Sequence, residues 1–191
     1  GPTMATLVRA ARLGSRDEVE AWIDATLPTI GRALASFGGF ESALVDVAGR
    51  RLGFSLAELL GGQWGPSLPR GVIIGFEVAT EDLKKHCIGV RWKGHQHIKV
   101  KVGRDDDAER LGIITRVFGP KVGLRLDANA AWSADEAIER LRALAEIPIA
   151  SIEQPVPADD LADLRRIREQ TGIAVMADES VCSLADAERL V

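Results

Sequence analysis

Four segments within the stretch 97–180 decide the fold: HIKVKVG at 97–103, LRLDANAAW at 124–132, ASIEQPVP at 150–157 and VMADES at 175–180. Each contains a short apolar, β-branched run and carries charge at or near its C-terminal end: Lys99 and Lys101 in the first, then Asp127, Glu153 and Asp178. Lys101, Asp127, Glu153 and Asp178 follow one another at intervals of 26, 26 and 25 residues, the length of one strand-plus-helix unit.

Outward from these segments the chain alternates strand and helix. Strands are predicted over 72–76, 97–102, 123–127, 150–153 and 174–177, with helices over 105–118, 133–145 and 158–171. The strand runs are nearly continuous in apolar residues, as in parallel strands covered on both faces. Right-handed crossovers then return every strand in the same direction, so the fold class is α/β. GFEVATED at 75–82 follows the first strand where an open dinucleotide-binding sheet would carry GxGxxG. Charges recurring at the same end of successive strands favour a partial (β/α)8-type barrel of about five βα units, because a barrel gathers those ends on one face.

Residues 1–65 are helical in pattern. Ser15 with Arg16, Asp17 and Glu18 reads as an N-cap and acidic first turn, followed by Val19, Trp22, Ile23 and Leu27 at helical spacing up to Pro28. A second helix is expected over 30–37, ended by Gly38 and Gly39, a third over 40–52, and a short fourth over 55–60 opened by Ser55. The turn-rich GQWGPSLPRG at 62–71 places a domain boundary there, between 1–65 and a catalytic domain at 66–191. Trp64 and Trp92 read as packing residues, Trp132 as a core residue near a site mouth, and the acids at 105–107 as a helix start.

The 191 residues are 46% hydrophobic and 27% charged with a net charge of −4, which fits a globular protein and disfavours a nucleic-acid surface or a membrane patch. No apolar run approaches the roughly 20 residues of a bilayer span. Cys87 and Cys182 follow neither a CxxC nor a zinc spacing, so free thiols in the cytoplasm are expected.

Three carboxylates converging from consecutive strand ends would repel unless a cation sits among them. An all-oxygen set suits Mg²⁺, or Mn²⁺, with positions open to water or substrate. Taken singly, each acid reads equally as a cap of the following helix. Lys99 and Lys101 lie two apart and share a strand face. Two neighbouring ammonium groups beside a metal are each easier to deprotonate, which is how a lysine becomes a general base; in isolation KVK reads as a solvated edge strand. A lysine opposite a metal that binds the adjacent carboxylate describes proton abstraction from carbon. His97, though on the lysine face, is expected to be a packed or solvated histidine.

KVK, LDANAAW, IEQP and MADES, in that order and spacing, resemble the mandelate racemase and muconate lactonizing enzyme family of the enolase superfamily, most closely its muconate-lactonizing branch. FESALVDVAGRRLGFSLAELLGG at 40–62 resembles the last helices of that family's α+β capping domain. The resemblance implies Asp127, Glu153 and Asp178 as Mg²⁺ ligands, Lys101 as acid/base, and Lys99 as a group that tunes Lys101 and helps hold the substrate carboxylate. It implies Asn129 and Glu179 as groups that orient these. The implied activity is a Mg²⁺-dependent isomerase that abstracts a proton alpha to a carboxylate to form a metal-stabilised enolate. It would act as a cycloisomerase or a racemase/epimerase on a small-molecule carboxylate, in a homo-oligomer. The alternatives are an acid-sugar dehydratase of the same superfamily and a catalytically inert truncated scaffold. Family members also carry an N-terminal three-stranded sheet and three further barrel units with a second lysine, so the 191 residues are expected to be an internal piece of a longer enzyme.

Overall fold

A computed structural model describes residues 14–26, 34–59, 61–62 and 70–190. The chain divides into two compact units, Gly1–Leu68 and Pro69–Val191.

In the first unit, helix α1 (Arg16–Thr26) begins at the predicted cap, where Ser15 Oγ accepts a hydrogen bond from the Glu18 N–H at 3.2 Å. Trp22 of α1 packs against Phe40 with ring centroids 6.0 Å apart. Helix α2 (Leu34–Leu52) corrects the expected break: it runs through Gly38 and Gly39 and ends at Gly53, whose φ of 76° is the left-handed stop. Two glycines in a helix interior cost about 1 kcal/mol each against alanine, which the packing of a long apolar face can outweigh. That face buries Val45 and Ala48 against Leu59 of α3 (Leu56–Leu59). Ser55 caps α3 reciprocally: its Oγ accepts from the Glu58 N–H at 3.2 Å, and the Glu58 carboxylate accepts from the Ser55 N–H at 2.8 Å. Residues 27–33, 60 and 63–69, with Leu27, Pro28 and Trp64, lie outside the described residues.

The second unit is a parallel five-stranded sheet in the order β1 (Gly71–Ile74), β2 (His97–Lys101), β3 (Gly123–Asp127), β4 (Ile149–Glu153), β5 (Ala174–Met176). Helices α4 (Thr80–Trp92), α5 (Asp107–Phe118), α6 (Ala134–Ala143) and α7 (Leu161–Thr171) connect the strands, and α8 (Leu184–Leu190) follows β5. The strand order never reverses, so the sheet has no switch point of the doubly wound kind and reads as five consecutive staves of a barrel.

One face of the strands makes the core. Ile74, Ile98, Val100, Leu124, Leu126 and Ile152 are all at most 1% exposed. They pack with helical stripes that include Leu83 and Cys87 of α4, Leu111 and Ile114 of α5, Ala137 and Leu141 of α6, and Leu164 and Ile167 of α7. By strand alternation the intervening residues Lys99, Lys101, Arg125, Asp127, Ser151 and Glu153 take the opposite face. Trp132 joins the core, with the Arg140 guanidinium 5.5 Å from its ring centre. Trp92 departs from its expected packing role: it ends α4 off the buried stripe of Leu83, Cys87 and Val90 and is 90% exposed.

Between β3 and β4 the register shifts. Leu124 is opposite Ile149, but Arg125 is opposite Ser151, so Ala150 forms a one-residue bulge. The bulge sets Asp127 level with Glu153; without it Asp127 would stand opposite Ile152, whose side chain points into the core. Farther round the sheet, the buried Arg110 of α5 donates through Nη1 to Val78 O at 2.7 Å and through Nη2 to Gly75 O at 2.9 Å, which fastens the loop after β1. Among the described residues no helix is long and apolar enough to cross a membrane. Cys87 and Cys182 are free thiols, and burial pushes the Cys87 thiol up to about 11.

A Cβ at Gly38 or Gly39 would meet nothing within 4 Å. Gly38→Ala and Gly39→Ala should therefore each stabilise the first unit by about 0.5–1 kcal/mol, read as a higher urea midpoint.

Candidate active site

The C-terminal ends of β2, β3 and β4 bring four charged side chains into one cluster. Lys101, Asp127 and Glu153 occupy one level of the ladder, with Met176 of β5 completing it. Lys99 lies one pleat below on the same strand face. Its ammonium reaches up to both acids, 2.9 Å from Asp127 Oδ2 and 2.5 Å from Glu153 Oε1. Lys101 Nζ is 3.3 Å from Asp127 Oδ2 and donates to Asn129 Oδ1. Asn129 in turn donates through Nδ2 to Glu179 Oε1 at 3.3 Å, and its backbone N–H donates to Asp127 Oδ1 at 3.0 Å.

The electrostatics follow from this packing. Burial works against the charge on Lys99, but hydrogen bonds and attraction from Glu153 and Asp127 outweigh it and hold the ammonium above the ordinary lysine value. Two carboxylates facing Lys99 thus act against the lowering expected of two neighbouring lysines beside a metal. Burial would raise Asp127, yet the hydrogen bonds from Lys99 and the Asn129 backbone, with attraction from both lysines, pull it below the usual aspartate range. Asp178 goes the other way: burial, then repulsion from Glu179 and Glu153, raises it.

Of the residues singled out from sequence, Asp127, Glu153, Lys99, Lys101 and Asn129 touch one another, and Glu179 joins through Asn129. Asp178 sits just beyond β5, exposed, within electrostatic range of Asp127, Glu153 and Lys99. Among the described residues no three Asp, Glu, His or Cys side chains close around a single point as metal ligands would. Lys99 supplies the positive charge between Asp127 and Glu153 instead. The donor set still fits a hard divalent ion: it is all oxygen, and Glu153 Oε2 is buried without a hydrogen-bond partner, with Arg125 Nε 3.5 Å away. His97 begins β2, at the far end from Lys101, and His95 Nδ1 lies 3.2 Å from Arg70 O, so neither joins the cluster.

Sequence reasoning missed two groups. Arg125 stands on the inner face beside Glu153 and donates to Met176 Sδ at 3.3 Å; its position two residues before Asp127 would have disclosed it. Gln154 is fully buried and carries a φ of 34°. Nothing local marks a glutamine after a strand as a strut, because all but one of its side-chain partners lie a whole βα unit away. Asn129, Ala130 and Gln154 are the described non-glycine residues with positive φ, and all three lie within three residues of the end of β3 or β4. Toward the strand starts the inner face opens into a cavity of about 530 Å³, lined by Ile73, His97, Lys99, Arg125, Ser151 and Met176 among others.

A family model described as "Enolase C-terminal domain-like" matches residues 82–191. The chain is 36% identical over 153 residues to the o-succinylbenzoate synthase of Bacillus subtilis (strain 168), covering 80% of this chain and 40% of that protein. It is 32% identical over 160 residues to a chloromuconate cycloisomerase of Delftia acidovorans, covering 82% of this chain and 43% of the relative. The chain thus spans less than half the length of either. The crystal structure of a dipeptide epimerase from Cytophaga hutchinsonii, complexed with Mg and the dipeptide D-Ala-L-Val, superposes with a TM-score of 0.80 at 29% identity, covering all of this chain and 54% of that one.

Lys99 and Asp127 make a pH window. The raised Lys99 contributes stability below the ordinary lysine value of about 10.4, lost as pH climbs through its folded value. The lowered Asp127 contributes above about 3.9, lost as pH falls through its folded value. Lys99→Met should destabilise the second unit by about 3 kcal/mol at neutral pH, because two buried carboxylates lose their shared cation. Urea unfolding should show that deficit shrinking near pH 4, as a proton takes over from the ammonium.

Proposed function

This chain belongs to the enolase C-terminal domain-like family, and from that membership we propose that it supplies the cation ligands and one proton-transfer group of an isomerase acting alpha to a carboxylate. The observation that carries the reading is the placement of Lys101. Its side chain is about one-third exposed, at the end of a strand whose next two neighbours end in Asp127 and Glu153, and its ammonium is held by Asp127 and Asn129. A group that must take and return a proton has to be reachable by substrate and oriented by fixed partners, and Lys101 meets both conditions.

In this reading Asp127, Glu153 and Asp178 hold the divalent ion, Mg²⁺ or Mn²⁺. Bound there, the ion supplies positive charge against the substrate carboxylate and so acidifies the adjacent C–H. Lys101, in its neutral form, removes that proton, and Asn129 Oδ1 accepts a hydrogen bond from the resulting ammonium. Glu179 orients the Asn129 amide from the other side. Lys99 stays charged through Asp127 and Glu153 and adds attraction for an anionic substrate. Delivery of a proton to the opposite face by a second acid across the substrate gives an epimer, with the proton taken by Lys101 leaving to solvent; elimination or addition at the neighbouring carbon gives a cycloisomerase outcome. Relatives described as a cycloisomerase and a dipeptide epimerase support an isomerase, and the Mg bound in the epimerase supports the ion. The free thiols Cys87 and Cys182 support a reducing, cytoplasmic setting.

In D₂O with Mg²⁺ and a dipeptide or other α-hydrogen carboxylate, NMR should show deuterium entering the α-position, and EDTA should stop it. Lys101→Ala should cut that exchange by about 10²–10⁴-fold, while Mg²⁺ affinity by calorimetry stays near that of the unsubstituted protein. Exchange that survives in Lys101→Ala would remove Lys101 from its role.

A further inference from the structure

We propose that Gln154 is the positioning residue that sets Asp178 against Glu153; the proposal rests on the reading of these two acids as partners in one cation site. The ladder itself does not place Asp178. β5 is three residues long, its last pair is Glu153 with Met176, and Asp178 follows two residues beyond. The Asp178 N–H instead donates to Gln154 Oε1 at 2.9 Å, and the same oxygen accepts from the Ser180 N–H at 3.2 Å.

The rest of the Gln154 amide is spent with equal economy. Nε2 donates to Val156 O at 2.8 Å and to Ser180 Oγ at 2.8 Å, and the Ser180 hydroxyl passes its own hydrogen to Ala158 O at 2.8 Å. Both donors and both acceptor positions of the amide are therefore used. The amide can face only one way, since a flip would set an NH₂ against two N–H groups and a carbonyl against a carbonyl. The main chain of Gln154 works in the same direction: its N–H donates to Met176 O at 2.9 Å, and its carbonyl accepts from the Ala130 N–H at 2.7 Å. One residue, 0% exposed and at a φ of 34°, thus ties together the chain just past β3, β4 and β5, the three places from which Asp127, Glu153 and Asp178 project. An unsubstituted side chain held in a left-handed backbone conformation is retained only where its surroundings over-determine it.

A purely structural glutamine would change stability and leave ion binding alone; a positioning one changes ion binding in a folded protein. Gln154→Met keeps the length of the side chain and removes all four hydrogen bonds. Calorimetric titration with Mn²⁺ alone should show affinity falling by about 10–100-fold in Gln154→Met, with circular dichroism still that of a folded chain. Ile114→Val, a core change in the helix layer, should lower the melting temperature without moving the Mn²⁺ affinity. In parallel, hydrogen exchange by NMR should find the Asp178 and Ser180 amides protected in the unsubstituted protein and exchanging about tenfold faster or more in Gln154→Met. A folded Gln154→Met that binds Mn²⁺ as before overturns the proposal. Should Gln154→Met not fold, the unsubstituted protein decides: a protected Asp178 amide upholds the strut, and one exchanging as fast as an open loop refutes it. If the unsubstituted protein takes up no Mn²⁺, the cation reading fails on its own, and the amide exchange alone judges Gln154.

Discussion

Two carboxylates on adjacent parallel strands cannot both stay charged, buried and unpartnered, and the rest of the second unit is arranged around that constraint. Asp127 and Glu153 are level across β3 and β4 with at most 5% of either residue exposed, so their repulsion acts at low dielectric. Lys99, from one pleat below on β2, answers both at once. The answer works because β2, β3 and β4 are consecutive staves, so that the lysine and the second acid flank the first acid on the same face of the sheet.

Much of this was legible in the residues because parallel sheets impose a ruler. Charges ending apolar runs at one-unit intervals, in HIKVK, LRLD and ASIE, could only be neighbours if the strands were consecutive and parallel, and β2, β3 and β4 begin and end close to where those runs do. Glycine was a poorer guide. Gly53 ends α2 as a glycine with positive φ should, whereas Gly38 and Gly39 lie inside it, because the apolar face around Val45 and Ala48 decides the helix and the glycines only weaken it. The exposed Trp92 shows the same priority from the other side: bulk and hydrophobicity suggested packing, but its angular position on α4 put it off the buried stripe.

The site divides along a similar line. Asp127, Glu153, Lys99 and Lys101 were readable because their signal is strand alternation plus charge. The sign of the perturbation at Lys99 was not, since it depends on which carboxylates its ammonium reaches, a distance of 2.9 Å or less that spacing alone cannot supply. Gln154 was hidden for a related reason. Its four side-chain partners lie at Val156, Asp178 and Ser180, and only one of these residues is a sequence neighbour.

The bulge at Ala150 separates two measures of length that otherwise coincide. From Ile149 to Glu153 β4 advances four residues while β3, from Leu124 to Asp127, advances three, because Ala150 advances the backbone without advancing the pairing. Pairing that residue in sequence would leave every helix stripe and every apolar run intact, yet turn the end of β4 inside out and set Ile152 opposite Asp127; only an even change in the pairing after Ile149 keeps the carboxylate on its face. Insertions and deletions in the turn at 144–148 carry no such parity. Lineages that drift from this sequence can therefore vary the turn in length and can lose the alanine beside it, which has no partner in the ladder, but a one-residue change in the pairing beyond it would send the carboxylate into the core.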